Sequence, residues 1–586
     1  MKELKSLNKY FIKYRKTFIL GIIITIVSQI FMVLAPEFVG KSINALNDFL
    51  KNQISGEEAK NILINNFLLI LATTLISGFL TFWMRQTIIV MSRHIEFDMK
   101  NEIFQQYQRL SLDFFKNQRT GDLMSRISED VSKVRQYVGP AVMYSINTII
   151  RMTVVIIQMM IISPKLTLYA LIPVPFLAII MMKLTQQIHL RSYAYQQNLS
   201  RLSSFSQEIF SGIRVIKAYA LEKEKNKEYI DVTEDSKNIF MRLATTNALI
   251  GPLMIGLIGL SNIFVIYVGA KMYMNGIITE IGIIAQFIMY INLLTWPIAS
   301  LGWVASMIKE AESSQKRINE FMMETPSVKS PSIPINHIIQ GDIKFENVSF
   351  TYKDTGIKAL DDVSFNVPKG KTLAILGHTG SGKSTLFHLI SRLYDPEKGT
   401  VYIDDIDIKK FKLHDIRNNI TVVPQEAFLF SDTIFNNIRY GVPNATLEEV
   451  IHYAKLADVD RNISRFKDTY QTILGERGLT LSGGQKQRVS IARALIKKAP
   501  ILLLDDSLSA VDTETEERIL NNLKGIIAST TTLIITHRVS SAKNADNIII
   551  LENGKIIEQG NHMELMQKNG YYKELYEKQL AEKDVK

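Results

Sequence analysis

Six stretches of about 20 residues, nearly free of charge, fill the first half of the chain, and they restrict its fold more than anything else in it. An unbroken apolar run of that length crosses about 30 Å of hydrocarbon as a helix, and in lipid only a helix or a closed barrel satisfies its own backbone. The runs cover approximately 17–38, 62–88, 138–163, 166–185, 243–270 and 281–308, so residues 1–325 are expected to form an all-α, six-helix transmembrane domain. The first run follows Lys2, Lys5, Lys9, Lys13, Arg15 and Lys16, as a signal peptide would. It exceeds the roughly 7–15 apolar residues of such a peptide and is read as a retained helix.

The connections alternate between short and long. Ser163-Pro164-Lys165 joins the third and fourth runs, whereas Arg85–Gln136 and Lys183–Arg242 separate their neighbours and carry most of the basic residues. The positive-inside bias therefore puts both long connections and both chain ends in the cytoplasm. Ile95, Met99, Ile103 and Tyr107 recur at helical spacing, which predicts long cytoplasmic helical extensions; solvated loops are the alternative. Arg151 interrupts the third run, where a charge marks either a functional contact or an arginine paired for assembly. Gly251-Pro252 and Trp296-Pro297 are expected to kink the last two helices. The net charge of +11 belongs to this membrane asymmetry. No basic stripe is interleaved with aromatics, so no nucleic-acid partner is expected, and the lipid bilayer is the partner instead. With no cysteine, disulfides and thiolate metal sites are excluded.

Hydropathy falls at Pro326, Ser327, Ser330, Pro331, Ser332 and Pro334, a breaker-rich linker over 326–340. The remainder, 341–586, reads as an α/β domain. Lys371–Leu376 is a short apolar strand running into Gly377-His378-Thr379-Gly380-Ser381-Gly382-Lys383-Ser384-Thr385, and Leu386, Leu389 and Ile390 follow at helical spacing. That is a phosphate-cradling loop in its strand-loop-helix setting. The glycines let backbone amides turn inward around a nucleotide's phosphates, Lys383 neutralises β/γ charge, and the Ser384 hydroxyl ligates Mg2+. Further on, Ile501–Leu504 is a fully apolar strand delivering Asp505-Asp506, with Asp505 as the metal-side acid. Between them Leu481-Ser482-Gly483-Gly484-Gln485 opens a helix, a second anion site at a helix N-terminus.

Phosphate loop, signature and aspartate strand together resemble an ATP-binding cassette, and with the six preceding helices the whole chain resembles a type IV ABC exporter half-transporter. The resemblance implies ATP and Mg2+ as cofactors and ATP hydrolysis coupled to transport. It implies that Tyr352 stacks on adenine, that Gln425 touches Mg2+ and senses the membrane domain, and that His537 is the switch histidine at the γ-phosphate. It makes Asp512 the residue of the loop after the aspartate strand, and Glu476 and Arg477 part of the cross-talk segment. Gly121–Val134, with Asp130, and Gly212–Tyr219 look like the stretches leading to two coupling helices.

One position departs from the pattern. The family carries Glu after the metal-side aspartate, to polarise the attacking water, and this chain has Asp506. A carboxylate one methylene shorter falls about 1 Å short, and a misplacement of that size costs roughly a hundredfold in rate. The intact signature completes a partner's site, so the expectation is a heterodimer with a second ABC half-transporter and one weakened ATP site. A homodimer using Asp506 as base is the alternative, and an ATP-gated channel or regulatory subunit on the same scaffold is a further one. The expected substrate is amphipathic or hydrophobic (drug, lipid or peptide), exported across the inner or plasma membrane of a bacterium.

Overall fold

The computed structural model describes residues 2–584 apart from 476, 477, 479, 480 and 510. Two units divide the chain. The first comprises Met1–Gln108 and Thr120–Glu324, the second Arg109–Arg119 and Thr325–Lys586. The expected boundary near 325 thus omits one excursion, in which 11 residues between the second and third apolar runs belong to the second unit.

The first unit is built on six long helices, α1 (Arg15–Leu50), α2 (Gly56–Arg109), α3 (Thr120–Ile162), α4 (Pro164–Ser211), α5 (Glu222–Met274) and α6 (Gly282–Met323). Each continues well past its apolar run. The 54 residues of α2 rise about 80 Å at about 1.5 Å per residue, far more than hydrocarbon requires, so the long connections are helical extensions and not solvated loops. Proline punctuates these rods. The chain turns from α3 to α4 on Ser163 alone, whose Oγ accepts from the Leu166 N–H at 3.4 Å, with Pro164 at the first helical position. α4 is interrupted at Ile172 before Pro173, and α5 at Leu249, three residues before Pro252. Pro297 is carried inside an unbroken helix, so no break falls at that expected kink.

Small residues let these helices approach closely. A Cβ on Gly21 of α1 would meet Ile88 of α2, and one on Gly282 of α6 would collide with the Gly40 carbonyl of α1. A hydroxyl seam, Ser28 to Ser77 at 3.4 Å and to Thr81 at 3.0 Å, ties α1 to α2. Phe287, Tyr290 and Leu294 of α6 are buried with Val155 and Met159 of α3 and Val265 of α5. Ile19, Ile23, Phe67, Leu75 and Phe79 stay exposed, an apolar exterior suited to lipid. Arg151 Nε donates to the buried Gln29 Oε1 of α1 at 2.8 Å; its partner is an amide, not a carboxylate. Asp130, buried, pairs with Arg317 of α6.

The second unit holds two sheets. β1 (Ile343–Thr351), β2 (Lys358–Val367), β4 (Lys398–Ile403) and β5 (Ile406–Asp407) form an antiparallel sheet in the order β2-β1-β4-β5. β3 (Thr372–Leu376), β6 (Ile420–Val423), β7 (Ile501–Asp505), β8 (Thr531–Ile535), β9 (Asn547–Glu552) and β10 (Lys555–Gly560) form the other, in the order β10-β9-β3-β8-β7-β6. From β9 to β6 it is parallel, and every residue of β3 and β8 is buried, as expected of strands covered on both faces. Two large cores, and a smaller one under the C-terminal helix, fill the unit. One holds β1, β2, β3 and the helix Lys383–Ile390; the other holds the helices Leu447–Leu456 and Gly483–Leu495. The breaker-rich segment is fastened to this unit. Val328 N–H donates to Ser111 Oγ at 3.0 Å, Arg392 Nη2 to the Lys329 carbonyl at 2.9 Å, and Leu413 N–H to Ser330 Oγ at 3.1 Å.

Candidate functional site

Parallel strands deliver their C-terminal ends to one edge of a sheet, and in open α/β sheets ligands bind at that edge. Here β3 ends at Leu376 and opens the phosphate loop, β6 ends two residues before Gln425, β7 ends at Asp505 and β8 ends two residues before His537. The register Val423↔Leu504 and Asp505↔Ile535 sets the last three ends side by side. Residues scattered over 160 positions of sequence are thereby collected.

The phosphate loop is held by conformations only glycine tolerates. Gly377 has φ +146° and Gly382 φ +101°; a Cβ on the first would collide with the Leu551 carbonyl, and on the second with the Ala359 carbonyl. Gly380, at φ +81°, has open space around it. Lys383 is buried at the start of its helix, and its ammonium donates to the Gly377 and His378 carbonyls at 2.9 and 2.7 Å. Burial pulls its pKa down, with the carboxylates of Asp505 and Asp506 opposing. An ammonium held only by neutral oxygens, the two carbonyls and Ser381 Oγ at 3.5 Å, in a partly desolvated site is a ready counter-charge for phosphate.

Ser384 Oγ donates to Asp505 Oδ1 at 3.2 Å. Burial pushes the Asp505 carboxyl up, against the hydrogen bond from Ser384 and the charge of Lys383. A hydroxyl and a carboxylate in contact beside the loop are the hard oxygen donors that Mg2+ takes, so this set fits Mg2+ with nucleotide. Asp506 follows at φ +42°, a left-handed conformation that Asp tolerates better than longer side chains. Its N–H donates to the Ile535 carbonyl at 2.9 Å, and its own carbonyl accepts from Ser509 Oγ at 2.8 Å. Gln425 is exposed, with its carbonyl accepting from Gln487 Nε2 at 3.3 Å.

Tyr352 lies just past β1 with its hydroxyl 3.1 Å from Thr385 Oγ1 and 3.2 Å from His388 Nδ1, which brings its ring to the phosphate-loop helix. Lys116, from the 109–119 excursion, sits over that ring at 4.3 Å and pairs with Asp354 at 3.3 Å. Burial depresses the pKa of His388. Neither Lys116 nor His388 was singled out by sequence reasoning. His388 carries a weak signal, one helical turn beyond Ser384; Lys116 carries none.

The signature is built differently. Ser482 caps the helix Gly483–Leu495 in a reciprocal box, its Oγ accepting from the Gln485 N–H while Gln485 Oε1 accepts from the Ser482 N–H. Leu481 is buried, whereas Ser482 and Gly483 face outward and Gly483 has no neighbour within 4 Å of a Cβ position. Among the described residues no hydrogen bond or ion pair joins 481–485 to 377–385. Asp512 caps the helix Thr513–Ile527 through the Thr515 N–H at 2.9 Å. Of the expected coupling residues, Glu476 and Arg477 lie outside the described residues. Tyr219 is exposed at the end of the short helix Ile213–Tyr219. Asp130 is 1 % exposed in its pair with Arg317. Residues 109–119, just ahead of the expected 121–134 stretch, belong to the second unit.

A multi-pass helical membrane unit continuous with a phosphate-loop nucleotide site defines an ATP-driven membrane transporter. Residues 18–298 match the ABC transporter transmembrane region and residues 360–509 the ABC transporter family. The chain belongs to the ABC transporters, and its nucleotide unit is an ATPase coupled to transport. It is similar to the multidrug resistance-like ATP-binding protein MdlA of Escherichia coli (strain K12), 34% identical over 99% of this chain and 97% of the relative. It is also similar to the probable multidrug resistance ABC transporter ATP-binding/permease protein YheI of Bacillus subtilis (strain 168), 33% identical over 98% and 97%. Among solved structures it resembles a bacterial Atm1-family ABC exporter with ATP bound, with a TM-score of 0.79 and 26% identity over 96% of this chain and 98% of the other.

Proposed function

We propose that this chain is one half of a dimeric exporter of amphipathic compounds in a bacterial membrane, both termini cytoplasmic, and that it pairs with a different half-transporter. Names of similar proteins point to drugs, and the apolar bundle suits a hydrophobic drug or lipid. Bound ATP and Mg2+ supply the reactive γ-phosphoryl group and the cation that neutralises it. Gly377, Thr379, Gly380, Ser381 and Gly382 wrap the phosphates with backbone amides, Lys383 leaves its carbonyls for them, and Thr385 secures Tyr352 for the adenine. Ser384, Gln425 and Asp505 hold the metal. Asp506 takes the proton of the attacking water, and His537 holds the γ-phosphate side. Leu481, Ser482, Gly483, Gly484 and Gln485 serve the partner's nucleotide, since they face away from this chain's own loop. Tyr219 and the 109–119 segment carry closure to the membrane helices, a two-state element biased by ligand.

The asymmetric reading rests on Asp506, a short carboxylate on a left-handed backbone beside Asp505. The retained His537 favours a second reading, a homodimer turning over with Asp506 as base. ATPase rates of the full chain in nanodiscs, native beside Asp506→Glu, separate the two. Near-inactivity restored by Glu supports the weakened site. Brisk native turnover from a stable dimer of this chain alone sinks it.

A further inference from the structure

The last helix, Tyr571–Asp584, belongs to no nucleotide-binding motif, yet it reaches two of them. Tyr572 is fully buried, and with Leu575 and Tyr576 it packs against Leu376 of β3, Val539 and Ala542 beyond β8, and Ile550 of β9. One turn further along, the side-chain amide of Gln579 makes two hydrogen bonds to a single loop. Nε2 donates to the His537 carbonyl at 2.7 Å, and Oε1 accepts from the Val539 N–H at 2.8 Å. A primary amide carries donor and acceptor side by side, so Gln579 acts on this loop as one more rung of a β-ladder would.

That rung matters because β8 has already ended. The ladder stops at Ile535, and the flanking residues have their own ties: Thr536 N–H donates to the Ile375 carbonyl at 3.2 Å, and Arg538 pairs with Glu516. Among the described residues the bond from Gln579 is the only hydrogen bond His537 makes, and its imidazole is exposed. At the other end of the helix the Tyr571 ring meets the His378 ring edge-on, centroids 5.2 Å apart, and the His378 carbonyl is one of the two that hold Lys383. Eight residues, about 12 Å of helix, separate Tyr571 from Gln579. One rigid element thus touches the phosphate loop and the histidine loop together.

We propose that Gln579 is a positioning residue for His537, and that the C-terminal helix fixes the distance between the histidine and the phosphate loop. This rests on the reading of His537 as the γ-phosphate residue. The test uses the purified full-length protein in nanodiscs, with Asp506→Glu as the parent so that turnover is measurable, and ATPase rate against ATP concentration is compared for the parent and for the parent carrying Gln579→Ala, Gln579→Glu or His537→Ala. Loss of the rung frees the histidine by about an ångström, so Gln579→Ala is expected to lower kcat roughly a hundredfold while leaving KM for ATP and the thermal midpoint unchanged. Gln579→Glu keeps the acceptor for Val539 and loses the donor to His537. Its kcat is therefore expected to fall with that of Gln579→Ala, with KM for ATP unchanged.

A kcat equal to the Asp506→Glu parent's in the Gln579→Ala variant, with His537→Ala inactive, overturns the inference. So does a Gln579→Ala defect confined to KM or the thermal midpoint, or a Gln579→Glu kcat equal to the parent's. Retained turnover in His537→Ala overturns the reading of the histidine itself, and the inference with it.

Discussion

Gly380 and Gly382 stand two residues apart in one loop, both with positive φ, and replacing each by alanine separates conformational strain from steric collision. At Gly380, φ is +81° and a Cβ meets nothing within 4 Å, so Gly380→Ala incurs only the left-handed backbone cost, about 1 kcal/mol. At Gly382, φ is +101° and the Cβ lands on the Ala359 carbonyl, at the edge of β2. Backbone cannot swing aside as a flexible side chain can, so overpacking adds about 2 kcal/mol to a similar strain. At about 1.4 kcal/mol per tenfold, Gly380→Ala weakens ATP binding about fivefold and Gly382→Ala by roughly a hundredfold or more. Fluorescent-nucleotide titration of both variants, with thermal unfolding alongside, measures the gap. Equal affinities for the two would mean that the loop yields freely and that the close approach to Ala359 does not shape the cradle.

Lys383→Met abolishes ATP binding yet leaves the nucleotide-free protein as stable as native or more so, since it removes a desolvated ammonium held only by neutral oxygens; isothermal titration and a thermal melt check the two halves. Asp505→Asn eliminates the Mg2+ dependence of nucleotide binding and raises the melting point of the nucleotide-free protein at neutral pH. The folded pKa of Asp505 lies above its unfolded value, so its ionisation destabilises the fold increasingly as pH rises from the ordinary carboxylate value through the raised one. In a melting series against pH, the advantage of the Asn variant is therefore expected to vanish at low pH. Tyr352→Phe removes the hydrogen bonds to Thr385 and His388 and weakens nucleotide binding several-fold, about 1 kcal/mol, whereas Tyr352→Ala loses the ring as well and weakens it further. A Phe variant as impaired as the Ala variant would place the importance in the hydroxyl alone.

The membrane half was legible because lipid imposes one rule on every span, and the phosphate loop because its glycines and lysine sit consecutively beside a buried strand. The long connections were read correctly as helical from Ile95, Met99, Ile103 and Tyr107, three of which are buried along one face of α2. What sequence could not convey was pairing across distance. Lys116 above Tyr352 joins positions 236 residues apart, and Gln579 reaches the His537 carbonyl from 42 residues away. Neither lysine nor glutamine carries a pattern by which such a partner is announced. The pairing of Asp130 with Arg317, 187 residues away, is of the same kind. Pro297 lies inside a continuous helix, since a helix that loses one backbone bond to proline need not break.

Residues 109–119 lie between α2 and α3 in sequence yet belong to the nucleotide unit. The polypeptide therefore passes between its two units three times, after Gln108, after Arg119 and after Glu324, and no single cut detaches one from the other. A protease nick near residue 325 would leave the catalytic half tethered by its excursion. A gene fragment beginning at 325 would lack the lysine that covers Tyr352 and the serine that anchors Val328. For this architecture, engineering or evolving a new pairing of membrane and ATPase halves means exchanging two separate stretches of coding sequence at once.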